Sequence, residues 1–599
     1  MNDGNLSLKN LKAPKDPVKK RSGFYIMRNK EILGSIQPDG RGIQFLYQDD
    51  GRMLSSARIV GNIKEEGILN LLKSVEGFRK LVHSIGVSVE MEGKQDTVDF
   101  VFQMYGRMDP HTTGTVIRKT IPTDGMEVTI PLSDEQWSED DNVPGQIRFE
   151  FSKAGCIAKV SVKFYLQDGY EAPEEIEELS VDFSLPEYDR MLEQSLLQSG
   201  NSARLQAALD KARRGEEITI AFIGGSITQG AGAVPIHTKC YAYETFLGLC
   251  QFLGKGTDEN IHYRKAGVGG TPSELGMLRY NRDVLRMRDD GKIVENLPDI
   301  VVVEFAVNDE GDETKGECYD SLVRKILLEK NSPAVILLFA VFANDWNLQD
   351  RLSPVGRAYG LPMVSIKDAV VEQFYQRPGE GHVVSKSQFF YDSYHPSNIG
   401  HRIMADCLLH LIKTADAGHR QTDTLRIEEI QPPIGKAFEK VRLLDRNIFR
   451  VMEEGQAGCI DEFQPRIRIA CGDFVDIDEE LQAVEMDVSL LPNKEFPYNW
   501  MYKGWKSKGE SVNSFIMDII CTSLLIIFKD SASIHTGCAE VWVDGKKVLL
   551  ADPHINGWTH CNAAICFRDR EREVHHVEVR MAEGQEDKSF TILGFGYVD

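Results

Sequence analysis

Three short stretches of the 599-residue chain hold side chains that together can perform nucleophilic chemistry. In the first, 217–232, an apolar run of Ile218, Ile220, Phe222 and Ile223 stops at Gly224-Gly225-Ser226. Two glycines let the backbone turn sharply and leave the Ser226 hydroxyl uncovered at a strand's carboxyl end, where open α/β sheets bind their ligands. The second, 301–309, is another buried-strand pattern and ends in Asn308-Asp309. The Asn308 carboxamide is a donor suited to an oxyanion in a site that excludes water. In the third, 391–401, Asp392 precedes His395 by three residues, just ahead of a helix. A carboxylate placed there reaches Nδ1 of the ring and holds the tautomer whose Nε2 faces a nucleophile. Taken singly, each stretch also fits a plainer role: a glycine turn with a capping serine, an Asn-Asp turn, or a helix start with an incidental histidine.

The elements around these residues predict how they are held. Strand patterns at 218–223, 261–263, 300–307, 334–342 and 363–366 alternate with helical patterns at 203–214, 243–253, 275–288, 319–329 and 352–359. A last helix is expected to open at His395-Pro396, since proline fits a first helical turn. Alternation of this kind means a doubly wound α/β domain with a mainly parallel sheet. Before it, residues 23–185 give short alternating runs at 42–47, 98–104, 126–132, 146–151 and 157–166, with one helical insertion at 68–85. After it, 421–599 gives strand patterns at 467–470, 484–490, 516–521, 524–528, 539–542, 548–550, 575–579 and 590–593, with an Asp544-Gly545 hairpin signal. The expected organisation is multi-domain: a flexible basic tail over 1–22, an N-terminal β-sandwich of jelly-roll type over 23–185, a central α/β domain over 186–420, and a C-terminal β-sandwich over 421–599.

Composition bounds the function classes. Asp and Glu number 91 against 69 Lys and Arg, a net charge of −22, which argues against nucleic acid or an anionic membrane as partner. The longest apolar stretch, 514–528, is too short to span a bilayer and carries Asp518. Eleven cysteines without a Cys-x-x-Cys pair predict reduced thiols and no structural zinc. The amino-terminal residues show no apolar signal core, so the expected compartment is the cytoplasm. The acidic run 310–313 reads as a solvated loop rather than a calcium site. No metal and no cofactor are expected.

In order and spacing, Gly-Gly-Ser226-x-Thr228, the glycine-rich turn 266–271, Asn308-Asp309 and Asp392-x-x-His395-Pro396 resemble the signature blocks of the SGNH, or GDSL-type, hydrolase superfamily. The resemblance covers 217–412, about a third of the chain. It implies a flavodoxin-like fold, Ser226 as nucleophile, His395 as general base and Asp392 as its orienting acid. It further implies an oxyanion hole made of the Ser226 amide, the Gly270 amide and the Asn308 side chain. One departure is clear: Gly225 stands where the superfamily usually has an acid before the serine. The leading β-sandwich resembles the jelly-roll module that precedes the SGNH domain in some acetyl xylan and acetyl mannan esterases, and the trailing one could help close the cleft around a sugar. The implied activity is removal of O-acetyl groups from an oligosaccharide or polysaccharide. General carboxylesterase or lysophospholipase activity, and a non-catalytic carbohydrate-binding role, are the competing readings. Trp346, Tyr241 and Tyr243 are the candidate aromatic substrate contacts, while Gly557-Trp558-Thr559-His560 resembles a loop that could reach across to the site, the default being a hairpin tip packed on its own sandwich. The oligomeric state is not legible.

Overall fold

The computed structural model describes residues 21–92, 97–175, 178–257, 259–289, 292–377, 381–453, 467–484, 493–504 and 512–599. The basic tail expected over 1–22, except its last two residues, and most of the strand expected at 484–490 lie outside them. The chain divides into two compact units, Met1–Glu177 and Glu178–Asp599. The regions expected at 186–420 and 421–599 therefore fall within one unit.

The first unit holds two antiparallel sheets. One orders Gly23–Leu33, Ile157–Leu166, Val82–Glu90 and Val128–Pro131; the other orders Ser35–Ile36, Gly42–Tyr47, Asp141–Phe151, Thr97–Gly106 and Val116–Pro122. Phe102 of the second sheet and Phe164 of the first stack at 6.3 Å, and Phe78 meets both edge-on at 5.5 and 5.2 Å. Phe78 belongs to the helix Val75–Leu81. The helical insertion expected to run to 85 ends at Leu81, because Val82, Val87 and Val89 are β-branched and buried on a strand.

In the second unit a six-stranded sheet carries the three chemical stretches. Its strands are β1 (Leu196–Gln198), β2 (Ile218–Gly224), β3 (Ile261–Gly267), β4 (Ile300–Glu304), β5 (Ala334–Phe339) and β6 (Met363–Ser365), in the order β1-β6-β5-β4-β2-β3. All pairs are parallel except β1 with β6. Every residue of β2, β4 and β5 is buried, which is why these runs read as continuously apolar rather than alternating. The principal helices are α1 (Ala203–Arg213), α2 (Ser226–Gln229), α3 (Tyr241–Leu253), α4 (Ser273–Asp283), α5 (Glu317–Leu327), α6 (Gln349–Tyr359) and α7 (Asn398–Ala417). Pro396 does not sit in the first turn of α7 as expected: Ser397 is the cap, its Oγ accepting from the Gly400 amide at 3.2 Å.

Beyond α7 come two five-stranded antiparallel sheets. One contains β7 (Arg442–Leu444), β8 (Trp500–Tyr502), β10 (Ser523–Asp530), β12 (His560–Phe567) and β14 (Phe590–Val598); the other contains β9 (Phe515–Cys521), β11 (Ala539–Val543) and β13 (Glu573–Met581). Leu524, Ile526 and Phe528 of β10 join the core between these two sheets. Leu525 and Ile527, pointing the other way, join the core of the six-stranded sheet instead. Both faces of β10 are thus dry, and this accounts for the apolar stretch noted in the sequence and for the single compact unit. Burial of each such side chain contributes about 1.5–3 kcal/mol. Ion pairs join Arg282 to Glu495 and Arg568 to Glu317 across the same junction.

The acidic run 310–313 is not a purely solvated loop. Asp312 is fully buried and accepts from the amides of Thr314 and Gly316, while Glu313 accepts from the Ile565 amide of β12 at 3.0 Å. Among the described residues no helix is long and apolar enough to cross a membrane.

Candidate active site

The register sets Gly224 level with Gly267 on one side and Glu304 on the other, so the carboxyl ends of β2, β3 and β4 form one edge. Strand order reverses at β2, the place where such sheets open a crevice for a ligand. Ser226 begins α2 directly above that point, and as the first helical residue its amide has no partner required by the helix.

Ser226 Oγ lies 3.0 Å from Nε2 of His395. On the other side of the ring, Nδ1 is 3.0 and 2.9 Å from the two carboxylate oxygens of Asp392. Asp392 Oδ1 also accepts from the amides of Tyr394 and His395 at 2.8 and 2.9 Å, which holds the carboxylate beside the ring. An acceptor at Nδ1 requires the proton there, which leaves the lone pair of Nε2 facing the serine hydroxyl. The turn 391–395 is closed by the Tyr391 amide donating to the His395 carbonyl at 2.8 Å.

The remaining blocks converge on the same point. A side chain at Gly225 would begin 2.2 Å from Oδ1 of Asn308, so the Asn308 carboxamide fills the space beside residue 225 and any larger residue there would displace it. A Cβ on Gly269 would stand 3.9 Å from that of Ser226. Gly270 has φ of 70°, which favours glycine and turns the backbone of the block. Asp309 ties the two blocks together. Its carboxylate accepts from the amide and the hydroxyl of Ser273 at 2.7 and 2.8 Å, and burial pushes its pKa up to about 8 against those bonds.

The candidate aromatic contacts separate. Tyr241 is fully buried, with its hydroxyl 2.8 Å from Thr228 Oγ1, and so supports the nucleophile turn from within rather than meeting a substrate. Tyr243 packs on Tyr263 and Phe246 at 5.6 and 5.8 Å, alongside β3 and away from its carboxyl end. Both depart from the expectation because α3 turns its first residues into the aromatic layer over the sheet. Trp346 stacks on Phe342 at 5.9 Å, Phe342 meets Tyr394 edge-on at 5.1 Å, and Tyr394 adjoins His395 at 6.2 Å. These rings form a shelf that reaches the imidazole.

The loop before β12 also reaches the site instead of resting on its own sheets. A Cβ on Gly270 would lie 2.8 Å from Nε2 of His560 and 3.0 Å from the Trp558 ring. His560 is buried, which pushes its pKa below the usual imidazole range, whereas Trp558 is 45% exposed. Gln482 donates to the Gly269 carbonyl at 2.7 Å and accepts from the Cys561 amide at 3.2 Å, so the C-terminal strands brace the glycine-rich turn. Asp530 anchors the loop by accepting from Asn556 and Asn562 at 2.8 and 2.9 Å. This is the less expected of the two placements for 557–560, because it depends on how β12 packs against a segment almost 300 residues away. Glu304 lies outside the expected site residues, although a charge inside Val301-Val-Val-Glu-Phe is a visible signal.

Residues 222–403 match the GDSL-like Lipase/Acylhydrolase family profile. That segment is thus similar to GDSL-type lipases and acylhydrolases. No curated protein matches the chain. Among solved structures, a two-domain esterase (CEX) active on acetylated mannans is similar in fold: 24% identity, a TM-score of 0.53, and coverage of 68% of this chain and 99% of that one. The same esterase co-crystallized with mannopentaose gives 24% identity, a TM-score of 0.53, and coverage of 68% and 98%.

Proposed function

We propose that this protein is a serine esterase that removes O-acetyl groups from acetylated oligosaccharides through an acyl-enzyme. The observation that carries the reading is the unbroken relay from Asp392 through His395 to Ser226 Oγ. His395 Nε2 takes the hydroxyl proton as Ser226 Oγ bonds to the acetyl carbonyl carbon. The Ser226 and Gly270 amides and the Asn308 carboxamide hold the oxyanion. The ester C–O bond then breaks, and the sugar oxygen leaves with the proton from His395. A water molecule, deprotonated by the same ring, cleaves the acetyl-serine and releases acetate. None of these steps calls on a metal or cofactor.

A saccharide leaving group is favoured by what borders the serine. The shelf of Phe342, Trp346 and Tyr394 and the exposed face of Trp558 flank the site with flat rings, a surface suited to the apolar faces of sugars. The likeness in fold to an esterase active on acetylated mannans supports the same substrate class. We read the sheets of 23–185 and of 421–599 as β-sandwich modules attached to the hydrolase, the second of which borders the site.

Acetate release from acetylated mannan, xylan and pectin oligosaccharides tests the reading, set against hydrolysis of long-chain acyl esters. Saccharide acetates are expected to be preferred, and preference for long acyl chains would replace this reading with a lipase-like one. Trp558→Ala and Trp346→Ala are each expected to lower kcat/KM on acetylated oligosaccharide about three- to ten-fold, the loss of one ring contact, with little change on a small aryl acetate. Equal losses on both substrates would remove the rings from sugar binding.

A further inference from the structure

Glu304 is fully buried at the end of β4, in a strand that is otherwise Ile and Val, and it lies level with Gly224 in the neighbouring strand. Its Oε2 accepts from Thr228 Oγ1 at 3.1 Å, and Thr228 in turn meets the Tyr241 hydroxyl. The amides of Gly225 and Thr228 are directed at the same carboxylate and favour its ionised form. The carboxylate therefore grips both ends of the four-residue step 225–228 that presents Ser226. Among the described residues the other oxygen, Oε1, is buried without a hydrogen-bond partner.

Among the described residues no Lys or Arg pairs with this carboxylate. The ionisable groups that face it are Tyr241 from α3, Tyr319 from α5, Asp309 from the turn after β4, and His395. Arg279, also buried at this edge, is committed to the carbonyls of Gly224 and Ala266 and to Asp283. Of these groups His395 is the one that becomes a cation during the reaction.

We propose that Glu304 is a positioning residue for the esterase: its carboxylate fixes the turn that carries Ser226 and stabilises the imidazolium formed at His395 when the serine attacks. The proposal rests on the esterase reading above. Position 225 has no room for a side chain, so the negative charge beneath the turn comes from the adjacent strand. Burial pushes the Glu304 pKa up to about 7, so the group takes a proton as pH falls through neutrality. Protonation removes the charge, and it reverses the hydroxyl chain, since a carboxylic acid donates to Thr228 where a carboxylate accepts. Activity therefore requires an ionised Glu304 in addition to the general base.

The test is kcat and KM as a function of pH on a small acetyl ester, for the wild type, Glu304→Gln and Glu304→Asp, with thermal melting of each. For the wild type, log(kcat/KM) is expected to fall on the acid side with a slope approaching two. In Glu304→Gln the slope is expected to drop to one. The same variant's plateau kcat should fall about ten-fold, as for a loss of one pKa unit of imidazolium stabilisation, with KM within about two-fold. Glu304→Asp should recover part of the kcat and the steeper limb. A Gln variant with wild-type kcat and an unchanged limb would overturn the proposal. So would a wild-type slope of one, which needs no variant to fold. Hydrolysis that survives Ser226→Ala would overturn the esterase reading itself, whereas a dead Ser226→Ala enzyme beside an unimpaired Glu304→Gln enzyme removes only the role of Glu304.

Discussion

Ser226→Ala is expected to lower kcat by about 10⁵-fold or more while leaving the melting temperature within a few degrees. The hydroxyl makes its recorded bond to His395 Nε2 alone, and both side chains are partly exposed, so its removal strands no buried polar group. His395→Ala should cost about as much, because the serine hydroxyl is a weak nucleophile without a base at 3.0 Å. Asp392→Asn should cost about 10⁴-fold, since an amide nitrogen facing Nδ1 favours the tautomer that puts the proton on Nε2, toward the serine. The double variant Ser226→Ala/His395→Ala should be no slower than either single one, as members of one unit are not additive. Steady-state hydrolysis of an aryl acetate, paired with labelling by a fluorophosphonate, measures all of this. Losses that multiply in the double variant would show that the two residues do not act as one relay.

Much of the second unit was legible because its signals are local. Strands buried on both faces show as unbroken apolar runs, and β2, β4 and β5 begin within two residues of where the sequence places them. Asp392 and His395 are three residues apart on one tight turn, so their spacing nearly dictates the contact that the coordinates record. The Asp544-Gly545 hairpin is equally local: both residues take positive φ, at 52° and 74°, and Val543 pairs with Lys546.

What escaped the sequence reading depends on remote packing or on broken pattern. Gly23–Leu33 was not read as a strand because two register shifts and a left-handed Asn29 interrupt its alternation. β12 shows no strand signal because its residues, buried at both ends and half-buried between, lack β-branched side chains apart from Ile565. Tyr241 looked like a substrate contact because nothing in its neighbourhood reveals that Thr228 holds its hydroxyl inside. For Trp558 packing on its own sheet is the default for the converse reason: its neighbour across space, Gly270, lies in a different part of the chain.

The second large effect is expected at Asn308. Asn308→Ala should lower kcat by about 10²–10³-fold, or about 2.7–4 kcal/mol of transition-state stabilisation, with KM nearly unchanged. The split follows from when the contact is made. A neutral ester carbonyl gains little from the carboxamide, whereas the tetrahedral oxyanion gains a charge-assisted bond, so the loss falls on kcat. Stability should move little in the opposite sense to activity, because Oδ1 of Asn308 is buried without a partner and its deletion removes an unsatisfied acceptor. The space vacated lies against Gly225, where a Cβ would otherwise begin 2.2 Å from Asn308, so Gly225→Ala in the Asn308→Ala background should fold better than Gly225→Ala alone. Kinetics on an aryl acetate and thermal melting of the three variants decide the matter. A rise in KM at constant kcat would place Asn308 in ground-state binding instead of in the oxyanion hole.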